Sequence, residues 1–131
     1  MVIHEITRWA AVEAAVSAVA IVGSYARGAE RMGSDVDVVI LSSEPDRLAE
    51  DRWFRGLFPG ARLVRSMSWG PVRERRMRLR SGLQVELNYA PLSWAAIPLD
   101  AGTRRVLGDG HRIISDTGLL GPAVETLGQP G

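Results

Sequence analysis

Two carboxylates stand two residues apart at Asp35 and Asp37, where the apolar run Val38-Val39-Ile40-Leu41 begins. A strand has a side-chain period of two, so both acids fall on one face. Two carboxylates on one face repel unless a cation lies between them. A hard divalent ion, Mg²⁺ or Mn²⁺, is the natural partner. Upstream, the apolar run Ala18-Val19-Ala20-Ile21-Val22 ends at Gly23-Ser24. A helix opened by Ser24 would offer free N–H groups and a hydroxyl to phosphate oxygens. Gly23, lacking a side chain, lets the backbone approach a ligand closely. The stretch from Gly23 to Asp37 therefore spells a metal-and-phosphate site. Rival motifs fail on the same residues. Gly23 to Gly28 fits the opening of a P-loop, but Ala29 and Glu30 replace its Lys and Ser/Thr. Asp35-Val36-Asp37 could open an EF-hand loop, but Val39 and Ile40 stand where an oxygen ligand and the turn glycine belong. No G-x-G-x-x-G is present.

The elements that must position these residues can be read from periodicity. Residues 5–16 predict a helix, with Trp9, Val12 and Val16 at helical spacing. Residues 18–22 and 35–41 predict two strands, with a short helix over 24–32 between them. Ser43, Glu44 and Pro45 predict a helix start. Ala49, Trp53 and Leu57 then form one stripe and Phe54 and Phe58 a second, until Pro59-Gly60 stops the helix. Residues 61–67, 72–80 and 83–89 predict strands, the last two joined by a tight hairpin turn at Ser81-Gly82. Beyond Pro91 the signals weaken. Residues 105–107 fit a short strand or a helix end, 112–115 an extended piece, and 119–127 a final helix weakened by Gly121-Pro122. Residues 129–131 read as a frayed tail. The expected fold is a mixed α/β (α+β) single domain over residues 1–131, a mixed sheet flanked by helices. The chemistry occupies about residues 5–90, and 91–131 form a C-terminal extension.

Composition removes whole classes of function. The chain has 131 residues and no cysteine, which excludes disulfides, thiolate nucleophiles and Cys-ligated metals. His4 and His111 lie far apart, against a multi-histidine site. All 16 cationic residues are arginine, so no mechanism can use a catalytic lysine. The net charge of +1 gives no overall field for nucleic acid. No apolar run spans a bilayer, and the first residues lack the pattern of a signal peptide, so the expected location is cytoplasmic.

Gly23-Ser24, Ala26-Arg27-Gly28 and Ser34-Asp35-Val36-Asp37 before an apolar strand together resemble the signature of the nucleotidyltransferase superfamily related to DNA polymerase beta. More narrowly, the chain is similar to its small stand-alone domains and to antibiotic nucleotidyltransferases. The signature covers residues 23–40, and the order of expected elements agrees from about residue 5 to 90. The resemblance implies a third carboxylate on a later strand. Glu86 fits best, because Gln84, Glu86 and Asn88 alternate with Val85, Leu87 and Tyr89. Glu74 is the runner-up, set in an arginine-rich strand.

What the resemblance implies is a metal-dependent transfer of a nucleoside monophosphate from a nucleoside triphosphate to a hydroxyl acceptor. Asp35, Asp37 and Glu86 would hold Mg²⁺ or Mn²⁺. Gly23, Ser24, Arg27 and Ser34 would bind the nucleotide. Glu86 would take the acceptor proton. A non-catalytic, antitoxin-like module that pairs with a small helical protein is the competing reading. The acceptor pocket must come from residues 91–131, from a second copy as a homodimer, or from such a helical partner, with Leu92, Trp94, Ile97 and Leu99 as candidate contacts. Arg65, Arg73, Arg75, Arg76, Arg78 and Arg80 could hold an anionic acceptor such as RNA, but a charged edge strand that resists sheet-to-sheet pairing is the favoured reading of that hairpin. Trp69, beside Gly70-Pro71, is a candidate for the rim of the site.

Overall fold

In the computed structural model, residues 2–23, 26, 35–50 and 56–128 are described. The elements are α1 (Val2–Val12), β1 (Val16–Val22), β2 (Val36–Ser42), α2 (Pro45–Leu48), β3 (Arg62–Trp69), β4 (Val72–Arg78), β5 (Gln84–Pro91), a 3-10 turn (Leu92–Ala95), α3 (Ala101–Gly108), β6 (His111–Asp116), α4 (Leu120–Glu125) and a second 3-10 turn (Thr126–Gly128). The strands form one sheet in the order β3-β4-β5-β2-β1-β6. β2 and β5 run parallel, and the other neighbours pair antiparallel. β1 and β2 are the nearly continuous apolar runs, and both their faces are covered. On one face, Val19, Ile21, Val38, Ile40, Leu87 and Tyr89 pack with Val2 and Ile6 of α1, Leu48 of α2 and Phe58. On the other, Ala18, Ala20, Val39, Leu41 and Ala90 pack with Leu99, Leu107, Leu120 and Ala123 from the C-terminal third.

The structure carries the expected α+β architecture and moves several boundaries. The helix expected over 5–16 runs from Val2 to Val12. Ala14 and Ala15 favour helix, but pairing of Val16 with Ser42 starts the strand there. Residues 105–107 belong to helix α3, which Asp100 caps by accepting the Thr103 N–H at 2.8 Å. The final helix forms despite Gly121-Pro122. Pro122 falls in its first turn, where an N–H has no helical partner, and Asp116 accepts the N–H groups of Leu119, Leu120 and Gly121. The arginine-rich strand β4 is not an edge. It lies between β3 and β5, and β3 is the edge instead. The short helix expected over 24–32, apart from residue 26, and Trp53, Phe54 and the tail at 129–131 lie outside the described residues. No described helix is long and apolar enough to cross a membrane.

Candidate active site

The face of the sheet that carries Val39 and Leu41 also carries Asp37, because the period of two is unbroken along β2. Asp37 lies opposite Val22 on one side and Glu86 on the other. The parallel β2–β5 pairing therefore sets Asp37 and Glu86 side by side, one strand spacing or about 4.8 Å apart. Asp35 precedes the strand and is exposed, while Asp37 is half-buried. Gly23 follows β1 with φ +77°, a conformation that costs other residues strain. A Cβ at Gly23 would sit 3.2 Å from Asp37 Oδ2. The glycine thus provides both the turn and the space beside the carboxylate. We expect Gly23→Ala to lower the melting temperature through about 1 kcal/mol of backbone strain. It should also push Asp37 out of place and weaken Mg²⁺-dependent nucleotide binding, which calorimetry would measure.

The hairpin of β4 and β5 brings in three more side chains. Positions equally distant from Ser81 meet, so Arg76 faces Glu86 and Glu74 faces Asn88. Arg76 Nη2 donates to Glu86 Oε2 at 2.8 Å. Its Nε is buried without an acceptor among the described residues, so the guanidinium keeps a donor in reserve. Glu74 is only 3% exposed. Arg65 grips it with Nε and Nη2 at 2.8 and 2.6 Å, and Trp69 Nε1 donates to its other oxygen at 3.1 Å. Asn88 Nδ2 donates to the Val38 carbonyl at 3.1 Å, tying β5 to β2 beside the acids.

Electrostatics follow from this crowding. Burial, and then the charge of Asp35, raise the Asp37 carboxyl above the ordinary range, although Arg76 opposes them. Glu86 is raised as well, first by burial; a hydrogen bond with Glu74 adds to the rise, and Arg76 opposes it. Burial works to raise Glu74 too, but hydrogen bonds from Glu86, Arg65 and Trp69 outweigh it and hold Glu74 low. Four carboxyl groups, Asp35, Asp37, Glu74 and Glu86, face two guanidinium groups, Arg65 and Arg76. That surplus of hard anionic oxygen and the cleared space beside Asp37 fit a divalent cation at Asp35 and Asp37. Among the described residues no three acids converge tightly enough to wrap one ion. Glu86 is turned to Arg76 and would join such a site only by exchanging that partner.

One cavity of about 570 Å³ opens over this face of the sheet. Asp37, Glu74, Glu86 and Asn88 lie along its sheet side, with Gly23 beside Asp37. Trp69, Pro71 and Val72 wall it from the β3–β4 turn, and Trp94, Thr103 and Val106 from the C-terminal third. Thr103 Oγ1 donates to the Trp94 carbonyl at 2.9 Å, which locks that wall together.

Of the expected site residues, the structure brings Gly23, Asp37 and Glu86 together, with Asp35 two residues before Asp37. Ser24, Arg27 and Ser34 lie outside the described residues. Of the expected partner contacts, Leu99 is core, Trp94 is half-buried against the cavity, and Leu92 and Ile97 remain exposed. Much of the arginine stripe is spent within the chain. Arg65 and Arg76 hold glutamates, Arg73 pairs with Asp46 at 3.0 Å, and Arg75 donates to the Ala49 carbonyl at 3.0 Å. Sequence reasoning missed Arg76 as a partner of Glu86 and Glu74 as the anchor of Trp69. The signal was present, since a hairpin centred near Ser81 places both on the Glu86 face.

No relative is found among curated proteins. A family model for the nucleotidyltransferase domain matches residues 5–101, from α1 to the start of α3. By that match, which takes in both signature acids and Glu86, the chain belongs to the nucleotidyltransferase domain family.

Proposed function

We propose that this domain moves a nucleoside monophosphate from a nucleoside triphosphate to a hydroxyl acceptor, with Mg²⁺ or Mn²⁺ as cofactor. The observation that carries the reading is the side-by-side placement of Asp37 and Glu86 in one cavity, with Gly23 cleared beside Asp37. A bound divalent ion would neutralise phosphate charge and make the acceptor hydroxyl more acidic. Asp35 and Asp37 supply the anionic oxygens that hold it. Glu86 takes up the hydroxyl proton as the acceptor oxygen bonds to the α-phosphorus and the bond to the pyrophosphate oxygen breaks. For that, Glu86 must be ionised, and the Arg76 guanidinium at 2.8 Å favours the ionised form. Ser24, Arg27 and Ser34 complete the nucleotide site in this reading. Side chains from residues 91–109 wall one side of the cavity, which would shield the activated phosphate from water. The acceptor pocket is then built within the chain, and a second copy or helical partner is left the exposed Leu92 and Ile97.

The ion pair between Arg76 and Glu86 favours one second reading. A third acid held by an arginine suits a module that binds nucleotide without transferring it. One experiment separates the two. The protein is incubated with each α-labelled nucleoside triphosphate, Mg²⁺ or Mn²⁺, and an extract of its source cell. Label joined covalently to a protein, an RNA or a small molecule, with pyrophosphate released, is the expected result. Tight nucleotide binding with no label transferred under any condition overturns the enzymatic reading in favour of the binding module.

A further inference from the structure

Trp69 combines two properties that rarely occur together. Its side chain is large and apolar, yet the residue is 55% exposed. It is also held in place. Its indole N–H donates to Glu74, which is buried and gripped by both nitrogens of the Arg65 fork. Its backbone ends β3 opposite Val72, at a turn made by Gly70, φ +58°, and Pro71. A large ring held by its N–H and 55% exposed presents apolar surface at little entropic cost. The cavity that it lines also takes in Asp37 and Glu86. Trp69 donates to Glu74 on β4, β4 lies one strand from β5, and Glu86 of β5 stands one strand from Asp37. Those steps place the indole edge on the order of 10 Å from Asp37. That is the reach of a ribose and base from a phosphate held at Asp37.

We propose that Trp69 is the stacking platform for the nucleobase of the triphosphate, with Glu74 and Arg65 as the residues that position its ring. The inference rests on the nucleotidyltransferase reading and adds the place of the base to it. An indole face stacks on any base, and more strongly on the larger purine surface. The platform therefore gives a preference for purine over pyrimidine triphosphates without reading hydrogen-bonding edges. Calorimetry with Mg²⁺ and the α,β-methylene analogues of ATP and UTP, beside Mg²⁺ and inorganic tripolyphosphate, tests it. Trp69→Ala should weaken the ATP analogue about tenfold, within the 5- to 150-fold range of a lost base stack. It should erase the preference over the UTP analogue and leave tripolyphosphate binding unchanged. Trp69→Phe, which keeps an aromatic face and the fold of the edge strand, should retain most of the affinity. Trp69→Ala binding the ATP analogue as tightly as the parent, or losing tripolyphosphate in equal proportion, overturns the platform. A parent protein that binds neither the analogue nor tripolyphosphate overturns the nucleotidyltransferase reading itself.

Discussion

Asp37→Asn should abolish Mg²⁺-dependent nucleotide binding and leave the ligand-free protein at least as stable as the parent. Outer-shell partners of metal ligands are themselves worth about 10- to 100-fold in affinity, so a direct ligand should cost about 100-fold or more. Stability moves the other way because the carboxylate is half-buried beside Asp35 and Glu86. The pH dependence follows from the direction of its shift. A carboxyl raised above its unfolded value of 3.8 binds its proton more tightly in the folded state. It therefore lowers stability as pH rises from the unfolded value through the raised one, and the full cost is present at neutral pH. The asparagine variant removes that cost. The melting-temperature difference between variant and parent should thus be small near pH 3, grow through the range just above 3.8, and hold level at neutral pH. Asp35→Asn should also abolish binding, with less effect on stability because Asp35 is exposed. Undiminished Mg²⁺-dependent binding in both variants, measured by calorimetry, would refute the site.

The legible parts of this protein are those in which local pattern and tertiary demand agree. The runs at 18–22 and 36–41 are apolar on successive residues because both sheet faces are covered, and they read as buried strands from sequence alone. Asp37 stands out because it interrupts such a run on the face where everything else is Val, Leu or Ala. Glu86 became legible through the resemblance, which implies a third acid on a later strand, and through its place between Val85 and Leu87. The C-terminal third was harder. Helix α3 depends on a cap from Asp100, and α4 on the Asp116 side chain reaching forward to three N–H groups, so neither has a long apolar stripe to announce it. The order of strands was also hidden. Residues 72–80 look like a charged edge strand in isolation. Only the sheet order shows that β4 is interior, with Arg76, Arg73 and Arg75 absorbed by Glu86, Asp46 and the Ala49 carbonyl.

Glu86→Gln should cost far more in turnover than in nucleotide affinity. Glutamine keeps an oxygen for Arg76 to donate to, so the hairpin and the position of Arg76 survive the change. What it loses is the capacity to accept a proton from the acceptor hydroxyl. General bases contribute about 10²- to 10⁴-fold, so kcat should fall by at least about 100-fold. KM for the nucleotide should change by only about threefold, because the interaction matters most in the transition state. The pH profile gives an independent readout. The parent's rate should rise with pH as Glu86 loses a proton held above the ordinary range by burial and by Glu74, and that limb should vanish in the variant. Glu74→Gln is the informative contrast. Glu74 is buried and engaged by Arg65 and Trp69, so removing its charge leaves the Arg65 fork poorly matched. The expected loss is about 1–2 kcal/mol of stability, since Arg65 is partly solvated, with kcat within severalfold of the parent. A Glu86→Gln variant that turns over like the parent, beside a folded but inactive Glu74→Gln, would transfer the third acid from β5 to β4. Arg76 would then be the residue that keeps Glu86 out of the chemistry, because its guanidinium already occupies the oxygen that the proton transfer needs.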